Sequence, residues 1–338
     1  MDILFPDRWF ELLAAKGIVW IFCTLIVSFI ALFKGSDWFV DGAAGAAKKL
    51  GIPTIIIGAT IVSLGTTSPE ATVSIMAAAA GKSGISLGNA IGSIICNTAL
   101  IFGLGCTLTQ VPADRFIIKR QGMVKFFSCM GFVGLCYFLL IFNCRYIARP
   151  YGFIFLGILV WYIFKSVKWS NEHLEAGIID EDHIHAQKPL VMLWLIFLSG
   201  LIVVIIASRV LIASATQVCL RFGIPESVIA ATVVAFGTSV PELATGIASV
   251  VKGHKEILLG NIIGANILNV FIVIGGSISI AGLEIQPVFY KFHFPFFVLI
   301  IGLFTIFSAF SKTYYKRWFG PILLTIYGCY VTIQYLYA

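Results

Sequence analysis

Charge is scarce in this chain. Only 12% of its 338 residues are Asp, Glu, Lys or Arg, against 59% hydrophobic ones, and the mean hydropathy is +0.99. So little polar surface cannot cover a soluble domain of this size, which places the chain in a bilayer. Paired cysteines are lacking too. The eight present (Cys23, Cys96, Cys106, Cys129, Cys136, Cys144, Cys219 and Cys329) lie singly in apolar runs, with no CxxC pair, and read as small core-filling residues rather than metal or redox groups. No nucleophile–base pair is evident and no strand precedes the Gly-rich segments, so neither covalent catalysis nor phosphate binding is indicated and no enzyme is expected. The N-terminal MDILFPDRWFELLAAKG lacks a small-residue cleavage site, and no removable signal peptide is expected. The net charge of +7 is assigned to Lys and Arg held on the cytoplasmic side of a membrane, not to nucleic acid.

What is present is a duplication. Shifting the chain by 172 residues lays Leu50–Gly105 over Phe222–Ser277 without a gap, with 22 identities in 56 positions. The residues kept are mostly breakers, hydroxyls, amides and one carboxylate. Gly51, Pro53, Thr60, Gly65, Thr66, Pro69, Glu70, Asn89 and Asn97 recur as Gly223, Pro225, Thr232, Gly237, Thr238, Pro241, Glu242, Asn261 and Asn269.

A helix needs about 20 apolar residues to cross a hydrocarbon core about 30 Å thick. Ten segments qualify, near 17–46, 53–80, 85–109, 115–142, 148–166, 189–220, 225–251, 256–282, 288–311 and 316–337. Five spans per half means that the second copy enters the membrane from the opposite side. The expected fold is therefore all-α and polytopic, with ten transmembrane helices in two inverted five-helix repeats, the plan of secondary transporters. The repeats are assigned to 1–166 and 189–338, joined by a cytoplasmic linker at 167–188. With the N-terminus outside, 15 of the 23 Lys and Arg residues fall inside, Lys125 among them, so both termini are expected on the outer side. The 165–189 loop gathers Glu172, Glu175, Asp180, Glu181 and Asp182 with His173, His183 and His185. It reads as a solvated linker, with a regulatory divalent-cation site as the alternative.

Helices 2, 3, 7 and 8 are expected to be broken. Pro69 has no N–H with which to close the ladder across Gly65-Thr66-Thr67-Ser68, and Pro241 repeats the motif after Gly237-Thr238-Ser239-Val240. Irregular backbone at membrane depth is tolerated where it is buried in protein or lines a cavity. The third span carries Gly84, Gly88 and Gly92 as a small-residue stripe beside Asn89, Ser93 and Asn97; the eighth carries Gly260 and Gly264 beside Asn261, Ala265 and Asn269.

Glu70 and Glu242 are the leading site candidates. A carboxylate near the bilayer centre is costly and marks an ion or proton pathway. A single one could be a buried acid satisfied by a neighbouring donor; two in one context on opposite approaches are harder to explain in that way. Around them Thr66, Thr67, Thr238, Ser239 and Ser93 offer hydroxyls, Asn97 and Asn269 offer amide carbonyls, and the turns near Ser63 and Ala235 offer backbone carbonyls. An all-oxygen set without Cys or His suits hard cations such as Ca²⁺ and Na⁺ over zinc or copper.

At these residues the chain resembles the cation/calcium exchanger superfamily, in particular its prokaryotic sodium/calcium exchanger-like branch. The resemblance is carried by GTTSPE at 65–70 with GNAIGSIICN at 88–97, and GTSVPE at 237–242 with GNIIGANILN at 260–269. It implies exchange of Ca²⁺ for Na⁺ by alternating access in a prokaryotic inner membrane, with no cofactor. Glu70 and Glu242 would be the principal ligands, joined by Thr66, Thr67, Ser93, Asn97, Thr238, Ser239 and the backbones of Ser63 and Ala235, while the first and sixth spans slide against this core. Two positions depart from characterised exchangers: Ala265 stands where they have serine, and Asn269 where several have aspartate. These departures bear on the coupling ion, and an H⁺-driven Ca²⁺ or other cation antiporter is the alternative.

Overall fold

A computed structural model describes residues 17–52, 54–175, 188–222 and 235–337. Helix α1 (Ile18–Leu50) is 33 residues long and ends as helices commonly do: Lys48 and Lys49 complement the dipole of the last turn, and Gly51, at φ 67°, turns its N–H back to the carbonyls of Ala47 and Lys48. The chain then forms α2 (54–79), α3 (Ser83–Leu108), α4 (Arg115–Ile141), α5 (Arg149–Glu175), α6 (Leu190–Arg221), α7 (235–251), α8 (Lys255–Ala281), α9 (Phe289–Phe310) and α10 (Phe319–Tyr337). Among the described residues, seven of these are long and apolar enough to cross a membrane, and 240–251 and 319–334 are shorter apolar helices. α2 completes the ten. α5 runs to Glu175, past the end expected near 166. Residues 176–187, with most of the acidic and histidine cluster of the linker, lie outside the described residues, as do Pro53, Gly223, Pro225 and Thr232.

Cross-repeat pairings reveal the inversion. Tyr146–Ile147 (β1), after α4, pairs antiparallel with Leu283–Glu284 (β2), after α8. Pro112, after α3, bridges to Tyr314, after α9, flanked by Ala113 N–H donating to Thr313 O at 2.8 Å and Tyr315 N–H to Val111 O at 2.9 Å. Each pairing joins the loop after the third helix of one repeat to the loop after the fourth helix of the other. Because α4 separates the loops at 112 and 146, the two pairings lie at opposite ends of the bundle.

The four inner helices depart from regular α-geometry, though not always where the prolines stand. In α2 the helix Ser63–Ala79 continues through Pro69, and the wide turn lies earlier, as a π-helical stretch at Gly58–Val62. Thus the expected interruption at 65–69 is corrected to 58–62. A proline removes one hydrogen bond, which a helix held on several sides can absorb; at the wide turn the Ser63 hydroxyl takes up the Gly58 carbonyl at 3.0 Å. α3 and α8 each contain a π-helical stretch in matching places, Cys96–Ile101 and Asn269–Ile274. Only α7 breaks at its motif: Ala235–Gly237 is followed by a turn at Thr238–Ser239, where Ser239 takes φ −91°, ψ 5°, and a new helix starts at Val240 with Pro241 in its first turn.

Glycines set the closest approaches. A Cβ on Gly264 would overlap Ser63 Oγ and the Ala59 carbonyl, and one on Gly58 would sit 2.8 Å from the Ile257 carbonyl, so α8 and α2 touch backbone to backbone. α1 and α6 cross in the same manner, a Gly42 Cβ falling 2.6 Å from Phe197 Cα. α8 is almost wholly buried, while α1, α5 and α6 leave most of their apolar surface exposed. Trp20, Val27, Phe164 and Val191 belong to this lipid-facing belt. Lys125 does not join the cytoplasmic charges as expected: it is buried within α4, 1% exposed.

Candidate cation site

Glu70 follows Pro69 in the unbroken part of α2, while Glu242 lies in the first turn after the α7 break, where the helix dipole favours a negative charge. Both are fully buried, and the two carboxylates face each other closely enough to interact across the repeat boundary. The duplicated motif therefore reaches one place by two backbone routes.

Hydroxyls and amides bind the halves together. Ser93 Oγ donates to Glu70 Oε1 at 3.4 Å, Ser239 Oγ donates to Ser93 Oγ at 3.2 Å, and Asn269 Nδ2 donates to the same Ser93 oxygen at 3.3 Å. Thr66 Oγ1 reaches Asn261 Oδ1 at 3.3 Å, and Thr238 Oγ1 reaches Asn89 Oδ1 at 2.8 Å. This last pair is reciprocal: each repeat's threonine donates to the asparagine of the other repeat. Asn89 also holds the α2 backbone, donating to the Glu70 carbonyl at 3.3 Å and to Ser74 Oγ at 2.8 Å.

Ten buried side-chain oxygens have no hydrogen-bond partner among the described residues, and six of them belong to this cluster: Thr67 Oγ1, Glu70 Oε2, both carboxylate oxygens of Glu242, Asn97 Oδ1 and Asn269 Oδ1. Buried polar groups are normally satisfied, and leaving one unmade costs about 1–3 kcal/mol, more when it is charged. Six such acceptors, three from each repeat, are the kind of set that a cage for a cation would need, since Ca²⁺ takes six to eight oxygens. Among the described residues no three His, Cys, Asp or Glu side chains are grouped so that they could hold a metal ion.

Most of the anticipated residues are buried, and Glu70, Ser93, Ser239 and Asn269 are linked by hydrogen bonds. Glu70, Glu242, Thr66, Thr67, Ser93, Asn97, Ser239 and Asn269 are all buried here, and Thr238 faces Asn89. The Ser63 carbonyl accepts from Thr66 Oγ1 at 3.4 Å, and Ala235 begins the short helix before the α7 break. Ala265 is buried and contributes no oxygen. Sequence reasoning missed the bracing role of Asn89 and Asn261, although their recurrence at the 172-residue register was a usable signal. It also missed Asn266, Thr98 and Lys125, which have no repeat counterparts and so gave none.

Inverted five-helix repeats with a buried, oxygen-rich, doubly acidic cluster between them define a membrane-embedded cation transporter. Comparison with known proteins narrows the class: the family described as sodium/calcium exchanger protein matches residues 20–168 and 192–336, and the chain belongs to that family. Over 361 aligned residues it is 29% identical to the sodium/calcium exchanger MaX1 of Methanosarcina acetivorans, covering 93% of this chain and 98% of that one. It is 32% identical to the inner membrane protein YrbG of Escherichia coli, covering 83% of this chain and 86% of that one. Among solved structures, the sodium-calcium exchanger NCX_Mj superposes with a TM-score of 0.79 at 27% identity, covering 94% of this chain and 99% of that one.

Proposed function

We propose that the protein is a secondary active antiporter that exchanges Ca²⁺ for Na⁺ by alternating access, with Glu70 and Glu242 as its charged ligands. The single observation that carries this reading is the set of six unpartnered buried oxygens contributed equally by both repeats. Thr66, Thr67, Ser93, Asn97, Thr238, Ser239, Asn269 and the backbones of Ser63 and Ala235 complete the proposed shell. Two carboxylates balance one Ca²⁺ or two Na⁺, so one site can serve both ions in turn. The named relatives MaX1 and NCX_Mj, both sodium/calcium exchangers, support the same pairing of ions.

In this reading 1–166 and 189–338 are the two working halves and 167–188 a cytoplasmic linker. The membrane is a prokaryotic inner membrane, and the Lys and Arg distribution puts both termini outside. α1 and α6, packed mainly on each other through Gly35, Gly42 and Gly200, are placed to slide across the inner helices. At the inner end Lys252 ties the α7–α8 turn to α1, its Nζ lying 2.7 Å from both Asp41 carboxylate oxygens and 3.8 Å from Asp37 Oδ1. The linker alternative, a regulatory cation site, has one of its carboxylates already engaged, since Glu172 pairs with Arg120.

The facing carboxylates also favour a second reading, H⁺-coupled Ca²⁺ exchange, because two protons can neutralise them as two Na⁺ would. Ca²⁺ uptake into proteoliposomes distinguishes the readings. Uptake driven by an imposed Na⁺ gradient at equal pH supports the first; uptake driven only by a pH gradient transfers the proposal to the second. Uptake without an opposing gradient of either ion refutes antiport.

A further inference from the structure

Lys125 is the observation that the exchange mechanism does not use. A fully buried lysine is rare, and this one makes no ion pair among the described residues. Its Nζ lies 3.4 Å from Thr98 Oγ1 and 3.3 Å from the centroid of the Phe304 ring. Thr98 is one residue beyond Asn97, and it opens a chain of polar contacts that leads back to the cation cage. Asn266 Nδ2 donates to Thr98 Oγ1 at 2.6 Å, Asn97 Nδ2 approaches Asn266 Oδ1 at 3.5 Å, and Asn97 Oδ1 is one of the unpartnered cage oxygens.

We propose that Lys125 is a positioning residue for the cation site, fixing through Thr98 and Asn266 which end of the Asn97 amide is presented to the ion. The inference rests on the cation-site reading above. Its physical basis is the direction of the hydrogen bonds. An ammonium can only donate, so Lys125 Nζ holds one lone pair of Thr98 Oγ1 and Asn266 Nδ2 holds the other, and the hydroxyl hydrogen is turned away from both. With the hydroxyl held in this way, Asn266 offers its NH₂ to Thr98 and its carbonyl to Asn97. Asn97 in turn spends its NH₂ on Asn266 and leaves Oδ1 for the cation. Were the ammonium absent, the Thr98 hydroxyl could donate to the Asn266 carbonyl, reversing both amides. Asn97 would then aim N–H groups at a positive ion. In the 172-residue register Val270 stands where the first repeat has Thr98 and Ile94 where the second has Asn266, so the second repeat has no such chain.

The test is equilibrium binding of radioactive Ca²⁺ to the purified full-length protein in detergent, with thermal unfolding measured in parallel. Lys125→Met keeps the length and apolar stem of the side chain and removes the donor. The half-saturating Ca²⁺ is expected to rise about tenfold or more, the scale of losing one charge–dipole ligand. Asn266→Leu should give a similar rise, and the double substitution no more than the larger single one, because both cut one chain. Independent packing defects would instead add. If Lys125→Met is not recovered folded, Asn266→Leu alone decides: wild-type Ca²⁺ binding in that variant overturns the proposal. Glu70→Gln separates this inference from its premise. If Glu70→Gln abolishes binding while Lys125→Met stays within twofold of wild type, the positioning role fails and the site stands. If Glu70→Gln binds like wild type, the site itself is wrong and the inference falls with it.

Discussion

Glu242→Gln removes one formal charge from the proposed site without changing its volume, and its effect can be worked from the structure. Both Glu242 oxygens are buried and unpartnered, and the facing Glu70 keeps one unpartnered oxygen. Unit charges about 4 Å apart at an effective dielectric of about 20 interact by about 4 kcal/mol, so a divalent ion loses about 8 and a monovalent ion about 4. If the glutamine carbonyl and local relaxation recover half of this, Ca²⁺ binding weakens by about 4 kcal/mol, roughly a thousandfold, and Na⁺ binding by about 2, roughly thirtyfold. Removing a buried, uncompensated carboxylate should at the same time stabilise the protein in chelator by about 1 kcal/mol or more. Thermal unfolding in detergent reads both effects. Ca²⁺ at about 100 times the wild-type Kd stabilises wild type by about 2.7 kcal/mol, and at that concentration the variant should gain about 0.1. Proteoliposomes carrying the variant should show no Na⁺-driven Ca²⁺ uptake. A variant that keeps more than half of the Ca²⁺-induced stabilisation, or unfolds below wild type in chelator, refutes the assignment of Glu242 as a charged ligand.

Restoring the second-repeat groups by Ala265→Ser with Asn269→Asp should lower the external Na⁺ needed for half-maximal Ca²⁺ exchange. The decrease should be larger at about pH 8.5 than at about pH 6.5, because an added Asp beside two glutamates charges only as pH rises; an unchanged or higher value at both refutes this account of the two departures. Gly264→Val should prevent folding or destabilise the protein by about 1–3 kcal/mol or more, since its side chain would enter Ser63 Oγ and the Ala59 carbonyl; unchanged thermal stability would mean that α2 and α8 are not in backbone contact. In a cysteine-free background, Ser83→Cys should react with an impermeant reagent from outside and Lys188→Cys from the cytosol. Labelling of both from one side refutes the topology.

Much of the architecture was legible because a bilayer leaves few options. Ten long apolar runs can only be helices there, and two copies of a segment set five spans apart can only be inverted. The candidate site was legible for the same reason: Glu70 and Glu242 are expensive at membrane depth, and their recurrence with Thr, Ser and Asn at fixed offsets singled them out. The tertiary structure decided how each weak point in the backbone is resolved. Pro69 and Pro241 stand in the same motif, yet α2 runs through the first and widens at Gly58–Val62, while α7 breaks at Thr238–Ser239. A proline specifies a missing donor, and the neighbouring helices determine whether the strain appears there or a turn away. Only the assembled bundle showed Thr66 crossing to Asn261 and Thr238 to Asn89, because a hydrogen bond between residues 195 or 149 positions apart leaves no local pattern. Lys125 is the clearest case. By composition it was a cytoplasmic charge near a helix end, and only packing against Thr98 and Phe304 reveals it as part of the interior.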